Sequence, residues 1–142
     1  MARRLLSSRA HADLFDIPTD PDALIRHYLL SGDDIDLIRT RRRAENLLGV
    51  AVHICLLRYP GFGWSDGIMP PAELIAWLAE QLQVDACTLD DYAFRRNTRH
   101  EHHAVAMRHL GLSPFGPEHV QQAEDIATRA AFATDHGVKI VE

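Results

Sequence analysis

The chain has 142 residues, 46% hydrophobic and 25% charged, with 15 Lys or Arg against 20 Asp or Glu and a net charge of −5. That is enough for one domain or two very small ones with a feasible core, and the acidic balance argues against a simple polycation. The longest apolar run, around residues 47–57, is too short and interrupted to span a membrane. The basic start Met1-Ala2-Arg3-Arg4 is not followed by a long apolar stretch, so a secretory leader is not expected. Two cysteines are too few for a disulfide framework, and Cys55, inside an apolar segment, reads as a small buried hydrophobe. Together these features suggest a cytoplasmic protein.

In chain order the sequence predicts helices with clear punctuation. Ser7 or Ser8 caps a short helix through Phe15. Asp20-Pro21 pairs an N-cap with proline at the first helical position and opens a helix to about Leu30. Ser31-Gly32-Asp33-Asp34 has capping-box spacing, with Asp in place of Glu, and starts a helix to about Arg42. The next helix, from about Ala44 to Arg58, is apolar on nearly every side and belongs at the centre of a bundle. After the Tyr59-Pro60-Gly61 stop comes a loop whose Phe62 and Trp64 are expected to fold back onto the core. Pro71 opens a helix with the stripe Leu74, Trp77, Leu78 and Leu82. A break at Val84-Asp85-Ala86 precedes a short helix from about Thr88 to Arg95. Asn97 or Thr98 caps a helix to Leu110, which Gly111 terminates. A last helix covers about Glu118 to Asp135. No segment shows sustained strand alternation. The predicted fold is therefore all-α: a compact multi-helix bundle with helix-turn-helix-like units, one domain over 1–142 with sub-units at 1–61 and 70–136.

Charge is distributed unevenly. Residues 59–94 hold six acids and no Lys or Arg, whereas residues 95–110 hold four Arg and four His against one acid. Fourteen of the fifteen basic residues are Arg, whose planar guanidinium can grip phosphate or guanine in two-pronged fashion. Two clusters stand out. Arg39, Arg41, Arg42 and Arg43 lie at the junction of two helices, where a corner of arginines can hold a DNA backbone; pairing of Arg39 with Asp36, and of Arg41 or Arg42 with Glu45, is the competing reading. Arg95, Arg96, Arg99, His100 and His103 form the second, with Arg96, Arg99/His100 and His103 on one helical face that suits phosphate contact or a merely solvated surface. His102 shares the opposite face with Val105 and Ala106 and reads as a partly buried, hydrogen-bonded histidine.

Residues 74–96 read helix, break, helix, with small Ala79 at a crossing point and apolar Val84 in the break; this fits a helix-turn-helix or ordinary bundle packing. The histidines face different ways and no Cys or acidic cluster completes a metal site. There is no Gly-rich phosphate loop, nucleophile motif or marked carboxylate pair. Asp33, Asp34, Asp36, Asp90 and Asp91 read as helix-start charges.

Several segments carry a family resemblance: LIRHYLLSGDDIDLIRTRRRAENLLGVAVHICLLRYPG over 24–61, LAEQL over 78–82, YAFRRNTRHEH over 92–102 and LGLSPFG over 110–116. From about residue 5 to 132 the chain resembles the N-terminal region of transposases of class II replicative transposons, the Tn-three type. The resemblance implies a non-catalytic helical module that recognises the terminal inverted repeats of the transposon. It implies no cofactor for this chain, because the catalytic Asp-Asp-Glu residues and their magnesium lie downstream. Its basic and polar motif positions fall on Arg41, Arg42, Arg43, Asn46, Arg58, Arg95, Thr98, Arg99 and His102, and its apolar ones on Leu48, Ala51, Leu56, Leu57 and Tyr59. One departure is His53, where the family pattern usually has Gln. The implied partners are double-stranded DNA, the remainder of the transposase and a second copy in a homodimer, with no membrane and a place at the nucleoid when bound. A helical interaction or oligomerisation module without DNA contact is the alternative, favoured mildly by the acidic segments.

Overall fold

Local chemistry at the helix ends sets the sequence of elements. In the computed structural model, which describes residues 7–9, 16–64, 69–92 and 96–133, the Asp20 side chain accepts a hydrogen bond from the Ala23 amide at 3.0 Å and Pro21 opens helix α1, Pro21–Tyr28. Ser31 and Asp34 form the reciprocal capping box anticipated from their spacing, each side chain accepting from the other's backbone N–H (3.1 and 2.9 Å), and helix α2 runs Gly32–Arg39. It stops short of Arg42 because the Thr40 hydroxyl donates to the Leu37 carbonyl at 2.6 Å, while the amides of Thr40 and Arg41 tighten onto Leu37 and Ile38. Helix α3 follows at Ala44–Arg58. Helix α4, Ala72–Leu82, ends on Gln83 in the left-handed region at φ 57°. A 3-10 turn at Ala86–Thr88, capped by Asp85, leads into helix α5, Leu89–Tyr92. Helix α6 covers Arg96–His109 and helix α7 Pro117–Ala133. Seven α-helices and no strand are present among the described residues, as the all-α reading requires. The helix expected from Ser7 or Ser8 to Phe15 falls largely outside the described residues.

The chain divides into two compact units, Ile17–Leu112 and a second that contains α7. Within the first, α3 is the hub: every residue from Leu48 to Leu56 is buried, and α1, α2, α4, α5 and α6 all pack on it. A helix apolar around its whole circumference has no solvent face to offer, so it is stable only when enclosed. Cys55 is fully buried, and burial pushes its thiol up to about 12, so it behaves as a small hydrophobe. Gly49 is where α3 lets a neighbour in. A Cβ there would overlap Cε2 and Cζ of the fully buried Tyr92 ring on α5. Phe62 and Trp64 fold back onto this core as anticipated, Trp64 being 7% exposed. On the other side α4 clasps the end of α1: Trp77 Nε1 and Gln81 Nε2 donate to the Tyr28 carbonyl (3.2 and 3.0 Å), and Gln81 Oε1 accepts from Leu30 N–H at 2.8 Å.

The buried Asp34 carboxylate joins three helices. Besides capping α2, it accepts two hydrogen bonds from the Arg58 guanidinium at the end of α3 (3.0 and 2.9 Å) and one from His109 Nε2 at the end of α6 (2.8 Å). Burial by itself would push its pKa up; the Arg58 hydrogen bonds, the Ser31 amide, His109 and the Arg58 charge outweigh that and hold it well below the usual carboxylate range. It was read from sequence as a helix-start charge, which it also is.

Two outcomes follow. Removing the charge with Asp34→Asn should destabilise the fold by about 3 kcal/mol in urea melts at pH 7, since it leaves Arg58 without its counter-charge. The folded pKa lies below the ordinary 3.8, so the Asp34 contribution is complete above that pH and fades as pH falls beneath it; the variant should lack this part of the acid loss. Gly49→Ala should lower stability by about 1–3 kcal/mol despite its helix propensity, and a smaller residue at Tyr92 should reduce that penalty in a double-mutant cycle.

Candidate nucleic-acid interface

The first basic cluster owes its shape to the early end of α2. With the helix closed off at Thr40, residues 41–43 form a corner, and Arg43 is extended at φ −119°, ψ 143° as the N-cap of α3. Arg39, Arg42 and Arg43 are exposed, whereas Arg41 and Asn46 are half-buried. Glu45 lies 3.8 Å from Arg43, whose side chain is 61% exposed, so this pair is weakly held. Neither of the ion pairs considered from sequence forms: among the described residues no carboxylate pairs with Arg39, Arg41 or Arg42.

The second cluster lies on α6, except Arg95, which lies outside the described residues. Arg96 and His100 are exposed, while Thr98, Arg99 and His103 are half-buried. Asn97 and Thr98, expected as its cap, both lie within the helix; short polar side chains suit either place, and their spacing alone does not separate the two. Arg99 stands over the Trp64 ring at 5.8 Å from its centroid, a cation–π contact that orients the guanidinium.

Helix α6 runs alongside α3 in the same direction. His103 meets His53 with ring centroids 5.7 Å apart, and farther along both helices His109 and Arg58 share the Asp34 carboxylate. The beginnings of α3 and α6 thus lie at the same end of the pair, and the arginine corner immediately precedes α3. Arg41 is close enough to α6 to act on His102. That imidazole is buried, its Nδ1 lies 3.0 Å from the Tyr92 hydroxyl, and burial followed by the Arg41 charge pushes its pKa down. His102 is therefore the hydrogen-bonded core histidine expected from its helical face.

Between α3, the loop at 61–64 and α6 is a cleft of about 550 Å³, lined by His53, Phe62, Gly63, Trp64, Arg96, Arg99, His100 and His103. It contains the predicted one-face stripe of α6 and adds His53, Phe62 and Trp64, which no local spacing connects to it. The one local signal was His53 itself, a polar side chain in an otherwise apolar run. His53 is 1% exposed, and neither ring nitrogen has a hydrogen-bond partner among the described residues. Burial, then the nearby His103, His102 and Arg99, lower its pKa from the ordinary 6.5 to about 3, so the imidazole is neutral at physiological pH.

In the segment read as a helix-turn-helix, Leu89 and Tyr92 on α5 are buried while Asp90 and Asp91 face solvent; residues 93–95, the end of the expected second helix, lie outside the described residues. The hydrophobic face of α5 is used against α3, and the described side chains that project outward from it are acidic. The longer element carrying base- and phosphate-compatible side chains is α6.

The depressed His53 pKa fixes a sign. An imidazole that binds a proton near 6.5 when unfolded but only near 3 when folded stabilises the fold fully above pH 6.5, and that contribution is lost as pH falls towards 3. His53→Gln should flatten the fall in Tm between about pH 6 and pH 4, and an NMR titration should show the His53 ring unprotonated at pH 5.

Comparison with known proteins places the chain. The DUF4158 family, described as a domain of unknown function, matches residues 5–142. The transposase for transposon Tn501 of Pseudomonas aeruginosa is 39% identical over 139 residues, covering 97% of this chain and 14% of the relative. The transposase for transposon Tn3926 of Escherichia coli is 37% identical over 96% of this chain and 14% of its own length. The transposase for transposon Tn1546 of Enterococcus faecium is 34% identical over 70% of this chain and 10% of its own length. The chain thus spans about 14% of the first two relatives; the stretch matched is an N-terminal region, and their catalytic region is not covered. No helix among the described residues is long and apolar enough to cross a membrane. The chain belongs to the DUF4158 domain family and corresponds to an N-terminal region of these bacterial transposases.

Proposed function

We propose that this domain binds duplex DNA at the terminal inverted repeats of a transposon, leaving cleavage and strand transfer to the remainder of the transposase. The observation that carries the reading is the arginine corner: Arg39, Arg41 and Arg42 are not neutralised by carboxylates among the described residues, and they sit at the end of the α3–α6 pair where Arg96 and Arg99 also lie. Unneutralised guanidiniums on a protein of net charge −5 concentrate positive potential where a phosphate backbone can use it. Arg39, Arg42 and Arg43 hold phosphates, Arg96, Arg99 and His100 continue the contact along α6, and Asn46, Thr98 and His103 supply shorter-range polar contacts. The relatives' identity as transposases supports DNA as the partner.

Fluorescence anisotropy of the 142-residue chain on a labelled inverted-repeat duplex and a scrambled duplex tests this reading. Arg42→Glu and Arg99→Glu should each weaken binding and lower the slope of log affinity against log salt by about one. Unchanged affinity in both variants would remove these residues from the interface. Equal affinity for the repeat and the scrambled duplex would leave only sequence-independent binding.

A further inference from the structure

We propose that the cleft between α3, the loop at 61–64 and α6 receives one unpaired nucleotide, its base against His53, Phe62 and Trp64 and its phosphate on Arg96, Arg99 and His100. The inference rests on the duplex-binding reading for the source of the nucleotide; the chemistry of the cleft would take the same unit from a DNA strand or from solution.

Three observations select this ligand. The first is size: about 550 Å³ falls within the range of roughly 300–1,000 Å³ usual for small-ligand sites and far exceeds what a single side chain or water needs. The second is the floor. His53 is 1% exposed and presents two ring nitrogens without hydrogen-bond partners among the described residues. A buried polar group in that state calls for a partner. The ring stays neutral because it is buried among His103, His102 and Arg99, so it offers one donor and one acceptor, a match for a neutral heterocycle and a poor match for a phosphate. The third is the contrast between floor and rim. The Trp64 and His103 rings lie 5.4 and 5.7 Å from that of His53, and Phe62 adds a further flat wall. The opening is lined by guanidiniums and imidazole. A bare phosphate would leave the aromatic floor unused, and an apolar ligand would leave the rim unused. A nucleotide satisfies both, through ring contact, hydrogen bonds to the base edge and charge-assisted bonds to phosphate.

The test compares an inverted-repeat duplex with the same duplex carrying one extrahelical adenine, with free deoxyadenosine monophosphate as competitor. The bulged duplex should bind about tenfold more tightly than the fully paired one. His53→Leu and Phe62→Ala should erase that preference while leaving affinity for the paired duplex unchanged, and His53→Gln, which keeps a donor and an acceptor, should restore much of it. Phe62→Ala guards against a folding defect at the buried histidine, and circular dichroism checks both variants. Competition by the free nucleotide for the bulge-dependent part of binding supports the shared chemistry. Equal affinity for the two duplexes overturns the proposal, as does a bulge preference that survives both His53→Leu and Phe62→Ala. If the paired duplex does not bind, the duplex-binding reading fails by itself, while capture of the free nucleotide, lost in His53→Leu, would still uphold the cleft as a nucleotide site.

Discussion

A carboxylate withdrawn from water must find donors, and the way Asp34 finds them organises this fold. Its capping-box partner is three residues away, but its guanidinium comes from the end of α3 and its imidazole from the end of α6. The two-pronged Arg58 contact has a fixed geometry, so it sets how α2 lies against α3. The His109 contact then pins the far end of α6 beside Arg58. With one end of the α3–α6 pair tied at Asp34 and its middle set by His53 and His103, the cleft beside those histidines and the charges at the other end are positioned.

Helix α3 imposes the second constraint. Its unbroken burial from Leu48 to Leu56 demands neighbours on every side, and one of them is α5, whose Tyr92 occupies the space that Gly49 leaves open. The same ring stacks on Trp64 and lies near His102, so one aromatic cluster joins the core of the bundle to the wall of the cleft. His53 breaks the apolar run while remaining buried, and the cleft lies beside it.

Net charge gave little indication of where the arginines gather. The excess acids lie largely in segments that serve other ends, such as the exposed Asp90 and Asp91 on α5 and Glu73 and Glu80 on α4, whereas arginines concentrate where a helix is terminated and another begun. Thr40 is the small cause of that arrangement. By taking the Leu37 carbonyl it closes α2 before the arginine run, so Arg41 to Arg43 project from a corner instead of being distributed around a helix. A domain that is acidic overall can in this way present a local cationic edge to a polyanion.

Features that depend on neighbours within a turn or two were legible in the residues themselves. The Asp20 and Ser31 caps, the all-round apolar character of α3, the stripe of α4 and the shared face of Arg96, Arg99, His100 and His103 follow from spacing, because helical periodicity brings such residues together whatever surrounds them. The return of Phe62 and Trp64 to the core followed from hydrophobicity, and the inward face of His102 from its position beside Ala106. Tertiary structure alone decided the rest. It turned Asp34 from a helix-start charge into a junction of three helices, and set His53 opposite the α6 stripe. Each depends on contacts between residues far apart in the chain, and a single sequence carries no local periodicity that records which distant side chain will fill a given space.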